Sequence, residues 1–118
     1  MGEKLSNEQG IIEINEEVIA QISGITATEC YGIVGMASRN VKDGIVRLLK
    51  RDSITKGVLV QLDGSNVDIE FHIIVEYGTK ISAVTDNLMN TVRYKLGEML
   101  GLQVGTIQIF VEGVRVSK

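Results

Sequence analysis

Cys30 and His72 are the only residues of their kinds, so a thiol–imidazole pair is the one nucleophilic arrangement open to this chain. Such a pair needs a thiol activated by nearby positive charge or a helix N-terminus. Cys30 instead falls among apolar residues at a helix end, where a small buried thiol is expected. His72 alternates with Glu70 along a strand, which predicts an outward, solvated side chain rather than a base. A metal cage would have to be built from carboxylates around that histidine or that cysteine. Asp68, Glu70 and Glu76 share a strand face but spread too far along it to close on one ion. No P-loop, dinucleotide fingerprint or Gly-x-Ser-x-Gly elbow occurs. The residues therefore predict no catalytic group, no metal and no cofactor, and a small thiol hydrolase is a remote reading.

Two features could bind rather than react. The net charge of −3 conceals an asymmetry: Arg39, Lys42, Arg47, Lys50, Arg51 and Lys56 face only Asp43 and Asp52 within 39–56, a local +4 against −7 in the remainder. Residues 44–51 read as a short amphipathic helix, with Ile45, Val46, Leu48 and Leu49 apolar and Arg47, Lys50 and Arg51 basic. A solvated crossover helix and a docking patch for an acidic partner or an anionic headgroup both fit that pattern. Gly32-Ile33-Val34-Gly35 has the Gly-x-x-Gly spacing that some RNA-binding modules use, but its apolar centre reads as a buried strand turn. The five aromatic residues do not interleave with the basic segment, so base stacking is not predicted.

The elements that must position these residues follow from periodicity. Gly10–Ile14 leads into a helix over 15–28, with Asn15 as N-cap, Glu16 and Glu17 in its first turn, and Val18, Ile19, Ile22 and Ile25 as its buried stripe. A second helix, Ile81–Leu100, repeats Ile81, Val84, Leu88, Val92, Leu96 and Met99 or Leu100 at spacings of three and four, and Gly101 ends it. Thr79 is placed to cap its first turn. Between them, Val58, Val60 and Leu62 alternate, as do Val67, Ile69, Phe71, Ile73, Val75 and Tyr77. The turn residues 63–66 make these an antiparallel hairpin with Leu62 opposite Val67 and Val60 opposite Ile69. A last strand carries Ile107, Ile109 and Val111.

The resulting prediction is an α+β domain over 10–118 behind a flexible tail, 1–9. Two strand–helix–strand units and the central hairpin form a mixed sheet, with both long helices on one face and the short basic helix between the units. On the other face Leu59, Ile74 and Phe110 stand where alternation calls for polar residues; scattered exposed apolar residues are ordinary, and if the three cluster they mark a self-association surface, which is the expectation. At 118 residues one domain is expected. A single cysteine suits a reducing, cytoplasmic setting, and no apolar run approaches the roughly 20 residues of a membrane span.

Taken in order, several fragments resemble the alkaline-shock, or Gls-type, envelope stress response protein family of Gram-positive bacteria. They are Gly10-Ile11-Ile12-x-Ile14, Glu17-Val18-Ile19-Ala20, the 32–36 stretch, Gly57-Val58-x-Val60, Val75-x-Tyr77-Gly78-x-x-Ile81 and Ile107-x-Ile109-x-Val111-x-Gly113-Val114. Short ends, where strongly stress-induced members carry charged tails, resemble the compact, YloU-like branch. The resemblance implies a cytoplasmic, non-enzymatic homo-oligomer held near the membrane by a membrane-protein partner, and it carries over no catalytic residue. A nucleic-acid-binding regulator using 39–56 is the alternative from another class.

Overall fold

The computed structural model describes residues 3–7, 10–39 and 46–116, with side-chain surroundings from residue 14 onward in those ranges. In chain order the elements are β1 (Glu3–Asn7), β2 (Gly10–Ile14), α1 (Glu16–Thr28), β3 (Ile33–Met36), a 3-10 helix (Arg51–Gly57), β4 (Val58–Asp63), β5 (Asn66–Glu76), α2 (Ile81–Leu100) and β6 (Gln103–Arg115).

β5 is the axis of the fold. β6 runs parallel to it along one edge. On the other edge β4 pairs antiparallel with its first half and β3 antiparallel with its second. The sheet is mixed, as expected, and the hairpin register is the predicted one, with Leu62 opposite Val67 and Val60 opposite Ile69. A parallel pair needs a long crossover, and α2 supplies it between β5 and β6. The first strand–helix–strand unit closes differently. β2 pairs with β1 in a separate two-stranded hairpin, so the stretch expected to be a tail contains a strand.

Both helices pack on one face of the sheet, where Val67, Ile69, Phe71, Ile73 and Val75 of β5 join one core with residues of α1 and α2. α2 contributes Val84, Leu88, Val92 and Leu96, all fully buried and each stabilising by about 1.5–3 kcal/mol relative to exposure. Ile81, at the start of the expected stripe, is exposed, and at its end Met99 is exposed while Leu100 packs half-buried against the core. Gly101 ends the helix at φ +68°, its N–H donating to the carbonyls of Gly97 and Leu96. Thr79 does not cap α2, because its hydroxyl donates back to the Glu76 carbonyl at 2.7 Å.

α1 starts as predicted, with Asn15 Oδ1 accepting from the Val18 N–H at 2.9 Å. Its buried stripe is rotated from the expected one. Ile19, Ala20, Ser23, Gly24, Thr26 and Ala27 are buried, while Val18, Ile22 and Ile25 are half-buried. Small residues win that face because α1 lies close to the 3-10 helix: a Cβ on Gly24 would sit 3.2 Å from both Cγ atoms of Ile54.

The predicted basic helix is not formed over its described part. Residues 46–50 carry no helix: Leu48 bridges Ala37, the Leu49 N–H donates to the Met36 carbonyl at 2.8 Å, and Lys50 is extended. Helix begins only at Arg51. The bridge at Leu48 lets Leu48 and Leu49 point to opposite sides: Leu49 packs against the core, and Leu48 crosses the far face above Gly35.

Candidate functional site

The residues able to do chemistry are separated by the sheet. Cys30 lies in the helix-side core, its thiol donating to the Thr26 carbonyl at 3.3 Å. Burial, outweighing the effects of Thr91 and Lys95, pushes its pKa up and keeps it a thiol. His72 is on the far side, so the two form no pair.

His72 departs from the solvated side chain expected of it. Only 12% of its side chain is exposed, with Nε2 2.6 Å from Glu70 Oε2 and Nδ1 2.6 Å from Glu112 Oε2. Each ring nitrogen thus lies against a carboxylate oxygen of the fold itself, and neither is turned toward a substrate. The ring also stacks on Phe110, with centroids 4.9 Å apart. Glu70 is two residues away on the same strand face and could be anticipated. Glu112 could not, because it reaches the ring through the parallel β5–β6 pairing and a bulge. The register steps from Ile73 opposite Val111 to Ile74 opposite Gly113, leaving Glu112 as the extra residue. The trio clamps β6 to β5.

The expected self-association residues meet three different fates. Phe110 is 44% exposed and Leu59 half-buried, whereas Ile74 is 0% exposed and withdrawn from the surface. The cause is a trough. Ile74 is flanked by Gly35 on β3 and Gly113 on β6, and the chain at 46–48 lies over it. A Cβ on Gly35 would be 2.6 Å from Leu48 Cδ1, and one on Gly113 would be 3.8 Å from Val46 Cγ1. Arg115 adds a hydrogen bond to the Val46 carbonyl at 3.3 Å. Gly35 is thus kept small by Leu48, and the Gly-x-x-Gly spacing is structural.

What remains uncovered is the other half of that face. A shallow groove is lined there by Leu59, Gln61, Asp68, Glu70, Thr106 and Gln108. Asp68 is engaged internally, accepting from the Thr106 N–H at 2.8 Å. Among the described residues, no group of three or more His, Cys, Asp or Glu side chains is placed to hold a metal ion.

Arg47, Lys50 and Arg51, expected on one face of a short helix, are not carried by that helix, and two of the other basic residues of the segment lie elsewhere. Arg39 and Lys56 line a second groove together with Glu16 and Glu17, which offset them, and the Arg39 N–H donates to the Lys56 carbonyl at 3.1 Å. Arg47, Lys50 and Arg51 are exposed along the non-helical segment and the start of the 3-10 helix. Lys42 lies outside the described residues, as do Gly44 and Ile45 of the predicted helix. Among the described residues, no helix is long and apolar enough to cross a membrane.

Comparison with known proteins places these features in a family. The model of the alkaline shock protein 23 family, described as having a cell envelope-related function, matches residues 4–116. The chain is 44% identical over 118 residues to the uncharacterized protein YloU of Bacillus subtilis (strain 168), covering 99% of this chain and 98% of that one. It is 34% identical over 114 residues to the uncharacterized protein Spy1614 of Streptococcus pyogenes serotype M6, covering 96% and 94%. A stress response regulator gls24 homolog of Streptococcus pyogenes serotype M3 is 22% identical over 113 residues, covering 93% of this chain and 62% of the homolog. No solved structure matches.

Proposed function

The chain belongs to the alkaline shock protein 23 family, of cell envelope-related function, and from that premise we propose that it is a non-catalytic cytoplasmic assembly protein of envelope homeostasis or stress response. It acts by self-association and by docking to a membrane-protein partner. The observation that carries this reading is the uncovered sheet face. There an exposed Phe110 and a half-buried Leu59 sit beside His72, Glu70 and Glu112, which are paired with one another. The buried thiol and the doubly engaged imidazole support a non-enzymatic role. The relative named as a stress response regulator supports a role in stress response, and the family's cell envelope-related description points that role to the envelope. The exposed Arg47, Lys50 and Arg51 provide the side that meets an acidic partner.

The test is Phe110→Glu. It adds a carboxylate beside Glu70 and Glu112 at an exposed position, so the circular dichroism spectrum should be retained while the mass from light scattering falls. An unchanged oligomer mass would remove this face from assembly.

A further inference from the structure

Neither outer edge of the main sheet is paired with a described strand: on the short β4 the Leu62 N–H donates to Glu16 Oε2, and the longer open edge is the side of β6 away from β5. Two irregularities divide it. Near its start the register slips between Val104 and Ile107, and the Arg93 guanidinium of α2 donates to the carbonyls of Val104 and Gly105. That part of the edge is closed. Near its end the register slips again at Glu112. Between the two slips lies Ile107-Gln108-Ile109-Phe110-Val111, in unbroken register with residues 69–73 of β5.

This stretch lacks the features that ordinarily blunt an edge strand: it has no charge, no proline and no bulge of its own. Its side chains are incompletely covered as well. Ile107, Ile109 and Val111 are only half-buried, whereas their neighbours Ile69, Phe71 and Ile73 on β5 are at most 2% exposed. Backbone hydrogen-bonding groups and inward side chains are therefore left unfinished over the same five residues.

We propose that a second copy of this chain completes that edge, β6 pairing antiparallel with β6 about a two-fold axis through Ile109. The proposal rests on the assembly reading above and names its surface. A two-fold through Ile109 sets Ile107 opposite the partner's Val111, Ile109 opposite its own counterpart, and Gln108 opposite the partner's Phe110. Apolar residues of the inward row then meet apolar residues, and no charge faces a like charge. The pairing stops where both strands bend, since Thr106 falls opposite the partner's Glu112, slip against slip. This match of the segment to itself is what favours a second copy over an unrelated extended peptide, and the closed two-fold contact gives a dimer rather than a fibre.

The register is tested by cysteine cross-linking in a Cys30→Ala background. Directly opposed residues of an antiparallel pair have Cα atoms about 4.5–5.5 Å apart, within disulfide reach. Ile109→Cys should convert most of the chain to a reducible covalent dimer under mild oxidation, and Gln61→Cys, exposed on β4, should not. If Ile109→Cys fails to fold by circular dichroism, a mixture of Gln108→Cys and Phe110→Cys protomers, both altered at exposed positions, should give the cross-link instead. Equal cross-linking of Gln61→Cys would overturn the proposal. So would absence of the cross-link while light scattering shows a wild-type oligomer, and the assembly reading would then survive without this edge. A wild-type chain that stays monomeric at every concentration would remove both.

Discussion

On the helix-covered side of β5, Val67, Ile69, Phe71, Ile73 and Val75 are all buried. On the opposite side Asp68, Glu70, His72 and Glu76 alternate around one buried residue, Ile74. The first row is closed by two helices. The second gets partial cover from a crossing of Val46 and Leu48 over two glycine positions, and elsewhere its polar groups close on themselves. The covered side sets the fold through volume and hydrophobic burial. The uncovered side fixes how β6 sits against β5 and leaves Phe110 turned outward. A substitution should therefore cost stability on one side and assembly on the other.

The largest effect belongs to the covered side. Val92 is 1% exposed in the middle of the α2 stripe, and Val92→Asp places a charge there with no partner. The expected cost is several kcal/mol out of a typical 5–15 kcal/mol, enough to abolish or sharply lower the thermal transition. Phe110→Glu, a similar change of polarity on the uncovered side, should leave the melting temperature within a few degrees of wild type. Equal melting temperatures for the two variants would show that the two sides of the sheet do not differ in what they contribute to stability.

A smaller loss is expected where the uncovered side does its own structural work. His72→Ala leaves Glu70 and Glu112 facing each other without the ring between them and removes the stack on Phe110. Both carboxylates keep some contact with water, which limits the cost to about 1–2 kcal/mol. Urea denaturation should show a lower midpoint with an unchanged slope. An unshifted midpoint would mean that the clamp contributes nothing to holding β6.

Sequence periodicity exposed the covered side well. The α2 stripe, the Asn15 cap, the Gly101 end and the hairpin register all rest on local rules of spacing and turn chemistry, which need no tertiary information. α1 was harder to read, because close approach to the 3-10 helix favours Ala20, Gly24 and Ala27 over the larger Val18 and Ile22, and a search for bulky residues looks to the wrong face. The uncovered side was least legible. Gly35 and Gly113 are far apart in sequence and become a trough only when β3 and β6 flank Ile74, so Ile74 read as a surface residue. Glu112 joins His72 through a bulge, which alternation cannot foresee. The 44–51 segment reads as helical because its apolar and basic residues fit a helix phase, yet in its described part Leu48 and Leu49 each have a separate surface to cover.

That same segment gives the smallest expected effect on the fold and the sharpest test of docking. Arg47, Lys50 and Arg51 are exposed, so reversing all three to Glu should leave the thermal transition close to wild type. One exposed charge pair is worth under about 1 kcal/mol, which is why a single reversal would not suffice. If these side chains meet an acidic surface on the membrane-protein partner, the triple variant should lose capture of that partner. Added salt should weaken wild-type capture in the same direction, because screening lengths fall to about 8 Å near physiological ionic strength. Phe110→Glu should keep capture at low salt even as its oligomer mass falls, since it alters the sheet face and leaves the basic segment intact. Wild-type capture by the triple variant across the salt series would confine the segment to its structural task of covering Ile74, and the docking surface would have to be sought elsewhere.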